Sequence, residues 1–252
     1  MEGLELLRRL LQYNENELSF QDKILRFVLS CETKNRFIPI ANTSNLLNKL
    51  LQYGCEKLLK RSSVYYRARI HDEIQNYNNR KPLDCKGARP LDAKNNSGGR
   101  FNPPGFSYLY LSDTEKTAIY ETKPHPFYYI TIFKGQLKKG VKIIDFSDFN
   151  PNLNLALVSL SSKQIEENKV KIFVTFLLSR PIILSMGSVL YPPTQYIADF
   201  IKSKGYDGIC FRSSLGIEGR NFVLFDADVV DFKNCERKVI QVESVKIDFK
   251  IV

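Results

Sequence analysis

The sequence predicts an α+β fold, and three observations carry the prediction. Leucines recur at helical spacing up to about Arg61, strand-like runs dominate the remainder with a few helices between them, and no internal repeat is visible. The chain has 252 residues, enough for one large or two small domains with a sizeable core.

In chain order, Gly3 to Tyr13 places Leu4, Leu7, Leu10 and Leu11 at helical spacing around Arg8 and Arg9. Ser19-Phe20-Gln21-Asp22 is an S-x-x-D cap, announcing a second helix with Ile24, Leu25, Val28 and Leu29 on one face. A third helix is expected from Thr43 or Ser44, carrying Leu46, Leu47, Leu50, Leu51, Leu58 and Leu59. Residues 1–61 therefore read as a small helical region whose leucine stripes are core. Residues 62–252 hold the chemistry.

Val64 to Ile70 has β-type residues with Arg67 and Arg69 at i and i+2, so both point to one face of a strand. Two guanidiniums on one face fit a phosphate site or a solvated face. His71 to Asn96, rich in Asn, Lys and Asp, is a long excursion. From Ser97 to Thr122 the chain packs a Gly/Pro loop, a short aromatic strand and a helix into one unit. Gly98 and Gly99 open backbone conformations closed to other residues, and Pro103-Pro104-Gly105 forbids a helix, so Arg100 sits on a shaped loop. Phe106 to Leu111 reads as a strand, Ser112-Asp113-Thr114-Glu115 as a capping box, and Pro124 must stop the helix just after Glu121.

Further on, Phe127 to Phe133 and Val141 to Phe146 are strands joined by a turn over Gly135 to Gly140. Asn150 to Lys169 reads as loop, and Lys171 to Leu178 as either helix or buried strand. Gln195 to Lys204 is an amphipathic helix closed by Gly205. Tyr206 to Ser214 runs from a strand into a polar turn, Asn221 to Val230 is another strand, and Lys238 to Lys250 alternates as one or two more.

Composition narrows the function classes. The net charge of +10 fits a nucleic-acid surface, an anionic pocket or an acidic partner, but the basic residues are interleaved with turns and no zinc-finger, basic-region or RNA-binding signature accompanies them. Direct nucleic-acid binding is not expected. Five cysteines without a C-x-x-C pair, and only His71 and His125 beside them, argue for reduced thiols and against a metal site. Scarce histidine also weakens a Ser-His or Cys-His nucleophile. No apolar run is long enough for a bilayer and the start lacks the order of a signal peptide, so a cytoplasmic protein without a membrane role is expected.

Five blocks then carry a resemblance: Tyr66-Arg67-Ala68-Arg69, Gly99 to Gly105, Tyr108 to Leu111, Ala118-Ile119-Tyr120-Glu121, and Gly208 to Ser213 followed by Asn221 to Phe225. Together they resemble the RES domain, a family named for an arginine, a glutamate and a serine and similar to ADP-ribosyltransferases. Phe101 stands where the family more often has tryptophan, and the segment before Ser97 is long. The resemblance implies an ADP-ribosyltransferase-like mixed β core with flanking helices. It also implies signature roles for Arg67, Glu121 and Ser213, with Arg100, Tyr110 and Asn221 as further contacts to NAD. Members degrade NAD by hydrolysis or phosphorolysis, or transfer ADP-ribose to a protein, and many are toxins held inactive by a DNA-binding antitoxin. Alternation sends Ser213 and Ser214 to opposite faces, and the block alignment favours Ser213. The competing class is a basic binding module for nucleic acid or a regulatory protein, with a vestigial pocket.

Overall fold

The computed structural model describes residues 12–13, 18–37, 40–71, 81–147, 162–180, 187–215 and 219–245. Apart from its last two residues, the helix expected over Gly3 to Tyr13 lies outside them, as do 72–80 of the long excursion, 150–161 of the expected loop and 246–250 of the last alternating run. The fold is α+β. Helix α1 spans Phe20–Thr33 and is capped by Ser19, whose hydroxyl accepts from the Asp22 amide at 3.2 Å. Helix α2 spans Thr43–Leu51 and ends there. The leucine stripe does not continue into the same helix: Gly54 intervenes, and Leu58 and Leu59 belong to strand β1, Cys55–Leu59. A Cβ at Gly54 would stand 2.6 Å from Ile144 Cγ2, so glycine is what lets the chain enter the sheet here.

The remaining strands are β2 (Val64–Ile70), β3 (Leu109–Ser112), β4 (Tyr129–Leu137), β5 (Val141–Asp145), β6 (Gly208–Arg212), β7 (Arg220–Leu224) and β8 (Val230–Gln241). Among the described residues the α-helices between them are α3 (Glu115–Glu121), α4 (Ser162–Ser179), α5 (Gly187–Leu190) and α6 (Pro192–Ser203). Among the described residues the sheet has eight strands in the order β1-β5-β6-β7-β3-β2-β4-β8, antiparallel except where β5 runs beside β6.

Three expectations are corrected. Ser162 to Lys169 is helical, not loop, and the ambiguous 171–178 continues the same helix α4. The turn after Leu137 does not close a hairpin, because β4 pairs with β2 and β8 while β5 pairs with β1 and β6. The strand expected over Asn221 to Val230 stops at Leu224, and β8 starts at Val230. Because β1 pairs along β5 from Cys55 opposite Asp145 to Leu59 opposite Val141, a boundary at residue 61 cuts off a strand of the sheet.

Two-residue alternation sorts the sheet into two cores. Ile144, Ile209, Phe211 and Val223 face α1, α2, α4 and α6, with Ile24, Phe27, Leu47, Leu50 and Leu178 packed against them. Their neighbours Ile143, Cys210, Phe222 and Leu224 face the other way and meet Phe133, Leu137 and Phe232 from the opposite end of the strand order. The sheet therefore curls around this second core. No helix among the described residues is long and apolar enough to cross a membrane.

Candidate active site

Strands β2 and β3 share one registered pair, Tyr66 opposite Ser112. Beyond it they are no longer paired, and Arg67 fills the gap, donating from Nη1 to the Tyr110 carbonyl at 3.0 Å. A cleft of roughly 600 Å³ opens here, lined by Arg67, Arg69, Arg100, Tyr110, Glu121, Arg212 and Asn221 among others. That lies within the ~300–1,000 Å³ common for small-molecule sites.

Glu121 is the last residue of α3. The helix is capped by Thr114, whose hydroxyl accepts from the Thr117 amide at 3.1 Å, so the expected box starting at Ser112 is displaced by two residues. The reason is that Ser112 still belongs to the sheet, opposite both Tyr66 and Asn221. At the other end Lys123 has φ 51°, outside the helical region that the following Pro124 disfavours, so the helix stops with Glu121 at the cleft.

A carboxylate at a helix C-terminus faces the negative end of the dipole, at a cost of about 0.3–1 kcal/mol. Two donors offset this. Ser213 Oγ donates to Glu121 Oε1 at 2.7 Å and Asn221 Nδ2 to the same oxygen at 2.6 Å. Glu121 is exposed, so water screens both the dipole and the bonds, and what the two donors fix is the direction of the carboxylate. Ser112 Oγ donates to Asn221 Oδ1 at 2.8 Å, which fixes the amide with its nitrogen toward the glutamate. Oε2 of Glu121 accepts no hydrogen bond from the described residues. Ser213 is buried with its hydroxyl on Glu121, while the exposed Ser214 lines the cleft, the opposite facing that alternation requires.

The arginines are held but not satisfied. Burial pushes the Arg67 guanidinium down to about 9, with neighbouring Arg69 adding to the effect. Its Nε is buried without a partner. Arg100 is also lowered by burial, against the attraction of Tyr191, Tyr110 and Glu121, and its Nη1 is likewise buried and unpaired. Its Nη2 donates to the Arg180 carbonyl at 2.7 Å. Arg69 differs: it shares the face of Arg67, but Nε and Nη2 donate to the carbonyls of Gly87 and Arg89, so it ties down the long excursion.

Tyr110 lines the cleft, yet its hydroxyl is committed to the loop. It accepts from the Phe101 amide at 3.0 Å and donates to Asn102 Oδ1 at 2.7 Å. Gly98 has φ 89°, and a Cβ at Gly99 would approach the Tyr110 hydroxyl at 3.0 Å. Phe101 is fully buried against Phe211, with ring centres 5.0 Å apart. From α6, Gln195 Nε2 donates to the carbonyls of Gly99 at 2.9 Å and Asn102 at 3.1 Å, and Thr194 Oγ1 donates to that of Arg100.

Arg67, Arg100, Tyr110, Glu121 and Asn221 all line one cleft, and Ser213 reaches it through Glu121. Sequence reasoning missed Ser112, Gln195 and Arg180. Gln195 alone carried a signal, as a polar residue on the buried face of an amphipathic helix.

The RES domain model matches residues 66–248. No curated protein matches the chain. Among solved structures, a chain in the crystal structure of the M. tuberculosis MbcT-MbcA toxin-antitoxin complex is similar with a TM-score of 0.38 at 12% identity, over 78% of this chain and 91% of that one.

Proposed function

This chain belongs to the RES domain family, and on that premise we propose that it is a toxin-like enzyme that consumes NAD by cleaving the bond between nicotinamide and ribose. The observation that carries the reading is the Glu121 clamp: one carboxylate oxygen is held by Ser213 and Asn221, and the other is left for a ligand in a cleft bordered by two half-buried arginines, each with one nitrogen lacking a partner.

The chemistry suits these groups. The glycosidic bond breaks with its electron pair going to the nicotinamide nitrogen, so the leaving group departs neutral and needs no strong acid. Positive charge develops on the ribose. Glu121 stabilises that charge and holds a ribose hydroxyl, acting without reorganisation because its position is preset. Arg67 and Arg100 take the pyrophosphate, whose oxygens match the planar guanidinium fork and offset the partial desolvation of the two cations. Ser213 orients the carboxylate and Tyr110 keeps the arginine loop in shape. NAD is substrate here, with no metal in the scheme, and a DNA-binding antitoxin is the proposed restraining partner.

Incubating the purified protein with NAD, with and without phosphate, and weighing the products by mass spectrometry tests this. Nicotinamide should appear together with ADP-ribose, its phosphorylated form or modified protein, according to the acceptor. Glu121→Gln should lower the rate about 10²–10³-fold. Intact NAD after incubation with folded wild-type protein would overturn the proposal. Salt-sensitive DNA or RNA binding that survives Glu121→Gln would favour the basic binding module instead.

A further inference from the structure

Two chains of contacts run from the end of α1 and the segment just after it, outside the RES-matching residues 66–248, to the loop that carries Arg100. In the first, Arg180 Nη2 donates to Glu32 Oε1 at 2.6 Å, and the Arg180 carbonyl accepts from Arg100 Nη2 at 2.7 Å. Both members of the ion pair are largely shielded, with 22% and 10% of their side chains exposed. The charge of Arg180 weakens the neighbouring Arg100 cation, so Glu32 neutralises a guanidinium that would otherwise repel it.

In the second, Arg36 Nη2 donates to Gln195 Oε1 at 3.1 Å, and Gln195 Nε2 donates to the carbonyls of Gly99 and Asn102. Both amide protons of the buried Gln195 are thereby used. Were the amide turned over, its oxygen would face two carbonyl oxygens and its NH₂ would face a guanidinium. Arg36 therefore reinforces, from the other end of the amide, the orientation that ties the loop to α6. It does this from behind: it lines a separate cleft with Pro103, Pro192 and Tyr196, and does not line the one that holds Glu121.

We infer that Glu32 and Arg36 are positioning residues, and that the end of α1 with the segment just after it sets the Gly99–Asn102 turn and aims Arg100 at the anionic part of the substrate. The inference rests on reading Arg100 as a substrate-binding group, and its test separates the two. Arg36 is exposed, so Arg36→Ala should fold. Losing one charge-assisted bond of about 1.4 kcal/mol should raise KM for NAD about tenfold, with kcat within about twofold, and Arg36→Lys should recover most of the loss.

A second readout needs no NAD. The Gly99 amide donates to the Asn102 carbonyl at 2.8 Å across the turn, so its hydrogen exchange should accelerate about tenfold in Arg36→Ala. Unchanged Gly99 exchange overturns the inference, and so does faster exchange with an unchanged KM in an active enzyme. Faster exchange in a protein whose wild type leaves NAD intact supports the positioning and removes NAD as the substrate.

Discussion

At the scale of single residues, the candidate site depends on side chains that orient other side chains. Asn221 meets Glu121 through one end of its amide and Ser112 through the other. Asn221→Leu keeps the branched shape in a somewhat larger side chain, removes both bonds and leaves Ser213 as the one described donor to the carboxylate. The expected outcome is a fall in kcat of about tenfold or more with a smaller change in KM, read from steady-state kinetics beside a thermal melt. Ser112→Ala should cost less, about threefold, because Asn221 then retains its bond to Glu121. An unchanged kcat in Asn221→Leu would show that the clamp does not matter to the reaction. That Arg67, Arg100, Glu121 and Ser213 meet at one cleft was legible through the family blocks that contain them, since pattern alone left Arg69 and Ser214 equally open. The partners of the Tyr110 hydroxyl were not legible, because a strand position tells which face a ring occupies but not where its hydroxyl ends.

Individual elements show the same divide. Helix α3 and the loop before it were readable from glycine, proline and capping chemistry, yet the cap sits at Thr114 because pairing across the sheet claims Ser112. The start of α4 is a run of charged and polar residues with little apolar periodicity, so nothing marked it as helix. Strand β1 hid inside a leucine stripe. It is fixed to β5 partly by Lys57 Nζ, which donates to Asp145 Oδ2 at 2.9 Å. Burial pushes the Asp145 carboxyl up, but its bonds to Ser147 and the Lys57 partner outweigh burial and leave it below the usual range. Stability from this group is therefore present above the unfolded carboxylate value and lost as pH falls through the lower, folded one. Lys57→Met should make acid unfolding begin at higher pH, measured by circular dichroism during acid titration. An unmoved midpoint would mean that Ser147 alone sustains Asp145.

For the whole molecule, the N-terminal helices are not an appendage to the RES-matching part. Ile24, Phe27, Leu47 and Leu50 are fully buried or nearly so in the same core as Ile144, Ile209 and Val223. Deleting residues 1–61 uncovers that core and leaves β5 as a bare edge, so the truncated chain should lose its cooperative melt and self-associate, as calorimetry and light scattering would report. A monomeric, cooperatively melting fragment would contradict this. The α+β class was legible because helices precede strands along the chain, whereas strand order was not, since pairing across the sheet joins segments far apart in sequence. The Glu121 clamp has a consequence of the same kind, in time. Its two donors lie 92 and 100 residues beyond the carboxylate they hold. A chain still being synthesised can form α3 and the arginine loop, but its carboxylate stays unoriented until β6 and β7 have emerged and closed beside β3. On the proposed reading of Glu121, the site is therefore not assembled before Asn221 has been synthesised.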